Sequence, residues 1–196
     1  PAPTSTIYQN DFDEVRTAGG APELRTTTRT PDQTLIGLYW AYDGAMKIGT
    51  PPRLYNQIAR KVAEGQPGQT TADYARLFAL INCAMADAGV HAWHYKYCYD
   101  LWRPIIGIRE HDPSTGPAAT SGGAIGPQAD PFWKPLGAPS SNEKRAAFTP
   151  HFPAYPSGHA TFGAATFEMV RQFYGHTDTT TIDSLGFTFV SDELNG

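Results

Sequence analysis

Two short stretches of this chain carry residue types that can do chemistry together. The first is Lys96, six intervening residues and then Arg103-Pro104, written KYCYDLWRP. The second is Pro156-Ser157-Gly158-His159, within HFPAYPSGH. Between them they offer a point-charge ammonium, a planar guanidinium, a hydroxyl, an unencumbered glycine N–H and an imidazole. An ammonium binds an anion as a compact charge, while a guanidinium fork matches two oxygens at once. A helix N-terminus adds free N–H groups and the positive end of the helix dipole. The imidazole can exchange a proton near neutral pH. These are the parts of a cage for a tetrahedral oxyanion such as phosphate or vanadate.

Each residue by itself has an ordinary explanation. A lone lysine on a helix is usually solvated, and an arginine before a proline is usually a structural ion pair. Ser157 is a good N-cap whether or not anything binds. Gly158 can serve close backbone packing alone. His159 in a first helical turn is commonly just packed or hydrogen-bonded. The weight lies in the combination and in the elements that carry it.

The elements follow from apolar spacing. Residues 1–30 are rich in Thr, Pro and charge with little periodicity, and are expected to be an extended lead-in. Pro31-Asp32 opens a helix through Leu35, Leu38, Tyr39, Tyr42 and Met46, and Pro51-Pro52 opens another through Leu54, Ile58 and Val62 that stops at Gly65. From Thr71 the steps Leu77, Ile81, Ala84, Ala88 and Ala92 share one helical face, and continuing them lands on Lys96, Tyr99 and Arg103. That places both cations on one helix, about 10 Å apart along its axis, with a kink or stop at Pro104. Residues 112–155 hold eight prolines and five glycines without clear periodicity, which reads as a long functional or mobile loop. Ser157 then caps a helix whose face runs through Gly163, Thr166, Phe167, Val170 and Phe173, with Gly175 as its stop. The fold expected is all-α: a helical bundle, or half of a two-bundle domain, with long irregular loops.

Composition bounds the rest. At 196 residues and 40% hydrophobic content the chain can bury a core. A net charge of −4 argues against general nucleic-acid or anionic-membrane binding, so an anion site must be a local concentration of cations. No apolar run reaches the roughly 20 residues a membrane span needs. No Gly-rich dinucleotide fingerprint occurs. Cys83 and Cys98 on one helix would lie about 22 Å apart, too far to bridge, and read as core thiols. The chain begins Pro-Ala-Pro, and no signal peptide is visible.

The pair of motifs resembles that of the vanadium-dependent haloperoxidases, which share their anion site with the type 2 phosphatidic acid phosphatase superfamily. The wider text WRPIIGIRE and HFPAYPSGHATFGAATFEMVRQFYG is similar to the chloroperoxidase branch, over roughly residues 80–175. The resemblance implies vanadate as cofactor, with phosphate able to occupy the same site. It implies that Lys96 and Arg103 hold vanadate oxygens, that Lys96 also polarises peroxide, and that Ser157 and the Gly158 N–H bond the equatorial oxygens. His159 becomes the acid–base group, and His159 and Lys96 the catalytic pair. Trp93 and Phe152 match aromatic positions lining the halide pocket, for which plain core packing is the competing explanation. The substrates implied are hydrogen peroxide and halide, with an organic acceptor left open.

One departure stands out. The family's third part, Ser-Arg, five residues and His, occurs nowhere in residues 1–196, and it would supply a third cation and the axial histidine bonded to vanadium. His91, His94, His111, His151 and His176 do not fit that spacing, and His91-x-x-His94 lacks a third ligand for an ordinary metal site. The expectation is therefore a partial catalytic domain over 31–196, truncated before the axial-histidine motif, with that histidine beyond residue 196. A complementary fragment and a homo-oligomer both stay open as partners. Two alternatives to peroxide-dependent halide oxidation also stay open: a phosphatase acting through a histidine on the absent segment, and a catalytically inactive fragment. Secreted or periplasmic location is favoured over cytoplasmic by the chemistry alone.

Overall fold

The computed structural model describes residues 5–24, 28–41, 50–110, 129–136 and 149–175. Among them the regular elements are helical: α1 (Thr6–Ala18), a 3-10 turn (Pro22–Leu24), α2 (Pro31–Trp40), α3 (Pro51–Glu64), α4 (Thr71–Tyr99), α5 (Pro104–Glu110) and α6 (Gly158–Phe173). The only β feature among the described residues is an isolated bridge between Gly20 and Pro135. The chain is all-α, as the apolar spacing predicts.

Local chemistry sets the helix starts. Thr30 and Gln33 form a reciprocal capping box at α2, with Pro31 in its first turn. Thr70 and Asp73 do the same at α4: the Thr70 N–H donates to Asp73 Oδ2 (2.9 Å) and the Asp73 N–H to Thr70 Oγ1 (3.2 Å). Two prolines open α3 and Gly65 caps its C-terminus. Gly175, with φ of 70°, follows α6 in the left-handed region that glycine adopts without strain. Tyr42 and Met46, expected to extend α2, lie outside the described residues, as does most of the loop 112–155.

The chain divides into two compact units. One comprises Pro1–Lys47 with Tyr95–Tyr155, the other Ile48–His94 with Pro156–Gly196. In the first, α1 packs on α5 around Phe12, Ile108 and Trp133, with Tyr8, Leu24 and Ile105 alongside. The Trp133 indole donates to the Arg16 carbonyl (3.0 Å), and Arg109 Nε donates to the Trp133 carbonyl (2.8 Å). The segment expected to be an extended lead-in thus contains α1. Its helix is drawn in by Phe12 burial and capped by Ser5, signals too local to show as periodicity in a polar sequence.

In the second unit, α3 and α6 pack together and α4 completes the core. Ala59, Ala63, Leu77, Ile81 and Val170 are buried, and Val62, Phe78, Met169 and Phe173 surround them. Gly163 lets the helices approach: a Cβ there would come within 3.1 Å of the Tyr55 ring. The α4 stripe runs Leu77, Ile81, Met85 and Ala92, so Met85 takes the full burial expected of Ala84 and Ala88, which are half-buried. Cys83 and Cys98 both lie on α4, but both are exposed rather than in a core.

Candidate active site

The two predicted cations are not on one helix. α4 ends at Tyr99, where the Asp100 N–H makes a final bond to the Lys96 carbonyl (2.8 Å). Asp100 then adopts φ of 47°, a left-handed conformation that short polar side chains tolerate best, and the helix cannot continue. Arg103 lies past this break, and its carbonyl accepts from the N–H groups of Ile106 and Gly107 as α5 begins at Pro104. The expected stop at Pro104 therefore falls several residues earlier, and Pro104 starts a helix rather than ending one. Trp102, next to Arg103, is latched on both sides. Its indole N–H donates to the Tyr8 hydroxyl (2.8 Å), and its ring lies so close to Gly107 that a Cβ there would come within 2.9 Å of it.

The break still brings the cations together. Residues 152–154 run alongside, tied by the Ala154 N–H to the Leu101 carbonyl (2.8 Å). Phe152 precedes a proline, which disfavours a helical backbone there, and Pro153 has no N–H to donate. Their carbonyls turn to the cations instead. Arg103 Nε donates to the Phe152 carbonyl (2.6 Å), and Lys96 Nζ donates to those of Pro153 (2.9 Å) and Ala154 (3.1 Å). One aromatic ring serves both charges: Lys96 Nζ is 5.2 Å and the Arg103 guanidinium carbon 4.6 Å from the centroid of Phe152.

Lys96 is only 1% exposed. Burial, with the Arg103 guanidinium second, lowers its pKa to about 8. Carbonyl dipoles and a ring quadrupole hold the two like charges side by side. An oxyanion bound here would accept from the ammonium and from the guanidinium fork and raise the lysine pKa again.

The second motif lies at the start of α6. Ser157 is the N-cap: its Oγ accepts from the Ala160 N–H (3.3 Å), which leaves its own hydroxyl hydrogen to donate. The Thr161 N–H reaches the Ser157 carbonyl (3.1 Å), so the N–H groups of Gly158 and His159 precede the first intrahelical bond. A Cβ on Gly158 would sit 3.0 Å from the Trp93 ring, so close aromatic packing alone already favours a glycine here. Trp93 also packs on Phe162, with centroids 5.9 Å apart. The Tyr55 hydroxyl donates to the His159 carbonyl (2.8 Å), which fixes the backbone of this turn.

Lys96, Arg103 and Phe152 thus form one cluster, in the first compact unit. Trp93, Ser157, Gly158 and His159 belong to the second. Sequence reasoning missed Tyr8, Trp102 and the Pro153 and Ala154 carbonyls. The proline spacing in HFPAYP signals an extended segment with outward carbonyls, but nothing local marks Tyr8. His91, His94 and His151 are exposed, while His111 and His176 lie outside the described residues. Among the described residues no three His, Cys, Asp or Glu side chains gather as a metal site; the charged side chains of the Phe152 cluster, Lys96 and Arg103, are both cationic.

The family model of the VCPO second helical-bundle domain matches residues 76–194. The chain belongs to this family. The match takes in α4 from Arg76 onward, both motifs and α6. A vanadium chloroperoxidase of Curvularia inaequalis is 44% identical over 205 residues, covering 94% of this chain and 31% of the relative. The chain therefore spans about a third of the length of that relative, and the likeness reaches well outside residues 80–175. Among the described residues of this VCPO-type chain, no helix is long and apolar enough to cross a membrane.

Proposed function

We propose that the protein carrying this chain is a vanadate-dependent haloperoxidase, oxidising halide with hydrogen peroxide to hypohalous acid. The observation that supports it best is the buried Lys96 beside Arg103, both held against Phe152 and the carbonyls of residues 152–154. That arrangement keeps two positive charges fixed for an oxyanion. Membership of the VCPO family and 44% identity to a vanadium chloroperoxidase favour vanadate over phosphate as the occupant.

Bound vanadate would supply peroxide activation; this chain's residues position it and manage charge and protons. Lys96 and Arg103 hold its oxygens, and the compact charge of the lysine ammonium suits it to polarise an oxygen carrying developing negative charge. Ser157 donates its hydroxyl and Gly158 its N–H. His159 accepts or returns a proton, its backbone fixed by Tyr55. Trp93 and Phe152 would be the aromatic residues on the halide side.

The test is a peroxide-dependent halogenation assay on a phenol-dye indicator, using the full-length protein stripped of oxyanions. Turnover that appears on adding vanadate is expected. Hydrolysis of a nitrophenyl phosphate, with no halogenation gained from vanadate, would replace this proposal with phosphoryl transfer.

A further inference from the structure

Within the second compact unit, the first turns of α4 and the last turns of α6 border an open cleft of about 480 Å³. That volume falls within the range of small-molecule sites. Gln69, Asp73 and Arg76 line one side, Gln172 and Tyr174 another, and Leu80, Met169 and Phe173 give it an apolar wall. All of these residues lie in that unit, and none takes part in the reaction proposed above.

Two polar atoms single this cleft out. Gln69 Oε1 and the Tyr174 hydroxyl are buried and have no hydrogen-bond partner among the described residues. Burial without a partner is costly, so folded proteins rarely keep two such groups in one place. Burial first, then Tyr74 and Asp73, also raises the Tyr174 pKa, so this hydroxyl stays protonated and can donate.

The acidic charge nearby is already engaged. Asp73 Oδ2 accepts from both the N–H and the hydroxyl of Thr70 in the α4 cap. The Arg76 guanidinium lies over the Phe173 ring, 5.8 Å from its centroid. Gln172 Nε2 donates to Glu168 (2.6 Å). One acidic and one basic side chain balance, so the lining selects for neither a net anion nor a net cation. The unmet needs of the buried atoms are neutral: an acceptor, Gln69 Oε1, seeking a donor, and the Tyr174 hydroxyl, able to give or take. A ligand hydroxyl satisfies both kinds, and a ring with one C–H face suits Leu80 and Met169.

We propose that this cleft is a binding site for a small neutral polyhydroxylated molecule of the monosaccharide class. Gln69 Oε1 accepts from one ligand hydroxyl. The Tyr174 hydroxyl donates to a second, and the apolar wall covers the C–H face.

The proposal is tested on the full-length protein by saturation-transfer NMR with D-glucose as probe and L-serine as the zwitterionic comparison. Saturable glucose binding, with serine giving no signal, is expected. Tyr174→Phe and Gln69→Met should each weaken glucose binding roughly 3–10-fold, the worth of one neutral hydrogen bond. Because each removes a group left unsatisfied in the unliganded protein, each should keep or raise the melting temperature, a result a merely structural hydroxyl would not give. If Tyr174→Phe melts lower, Gln69→Met decides alone. Absence of saturable glucose binding, preference for serine, or unchanged glucose affinity in the variants would overturn the proposal. Halogenation by the same variants should be unaffected, so its outcome is separate from that of the haloperoxidase assignment.

Discussion

Lys96 concentrates the chemistry of this chain in one side chain. Its folded pKa of about 8 lies below the ordinary lysine value, so the unfolded chain binds more protons between those two values. Lys96 therefore weighs against folding most heavily below about pH 8, and that cost falls as pH rises through the window. Subtracting the pH profile of Lys96→Met from that of the wild type should leave a difference that becomes more favourable to the wild type between pH 8 and 10. Chemical denaturation at several pH values measures it. Oxyanion binding should act oppositely, by favouring the ammonium. Calorimetry near pH 8.5 in buffers of different ionisation enthalpy should show proton uptake by the lysine when vanadate binds, reduced in Lys96→Met. Arg103→Lys should weaken oxyanion binding by about tenfold or more, because a fork able to bond two oxygens becomes a single point. His159→Ala should lower turnover far more than oxyanion affinity, as expected of a group that moves a proton rather than holds the anion.

At the scale of elements, the end of α4 decides where Arg103 goes. Asp100 at φ of 47° is the turning residue, and Trp102 held by Tyr8 aims the following segment. Asp100→Gly should be nearly neutral in stability, whereas Asp100→Val should cost about 1–2 kcal/mol and weaken oxyanion binding, since a β-branched side chain resists the left-handed region. Paired measurements of denaturation midpoint and vanadate affinity check both. Tyr8→Phe removes the acceptor for the Trp102 indole. Its expected signature is a loss of oxyanion affinity greater than its loss of stability, because the latch acts on the residue beside Arg103. The same logic explains why Phe152 matters beyond its bulk: its carbonyl and its ring act on Arg103 together.

At the scale of the molecule, each compact unit carries its own core and some of the candidate site residues. Leu77 is fully buried in one and Trp133 nearly so in the other. Leu77→Ala should cost about 2–5 kcal/mol and Trp133→Ala about 3–5 kcal/mol. Hydrogen exchange should show the first loss concentrated in α3, α4 and α6, and the second in α1 and α5. Even exchange across both units in either variant would mean that the cores are not separate.

The residue types, the helical class and the starts of α2, α3, α4 and α6 were legible in the chain itself. Capping residues and prolines act over three or four positions, and an apolar period of 3.6 is a property of the string, so α3, α4 and α6 could be read directly. The buried lysine was legible too, as a charge on an apolar stripe. What only the tertiary structure decided was the company these residues keep. Seven-residue spacing implied one shared helix for Lys96 and Arg103, yet a left-handed aspartate parts them and the carbonyls of residues 152–154 gather them again. Those carbonyls have no side-chain identity to read, and α1 supplies its tyrosine from more than ninety positions away. Contacts at that range depend on which faces find each other in three dimensions. A backbone oxygen's role depends on where the chain turns, which no single residue type encodes.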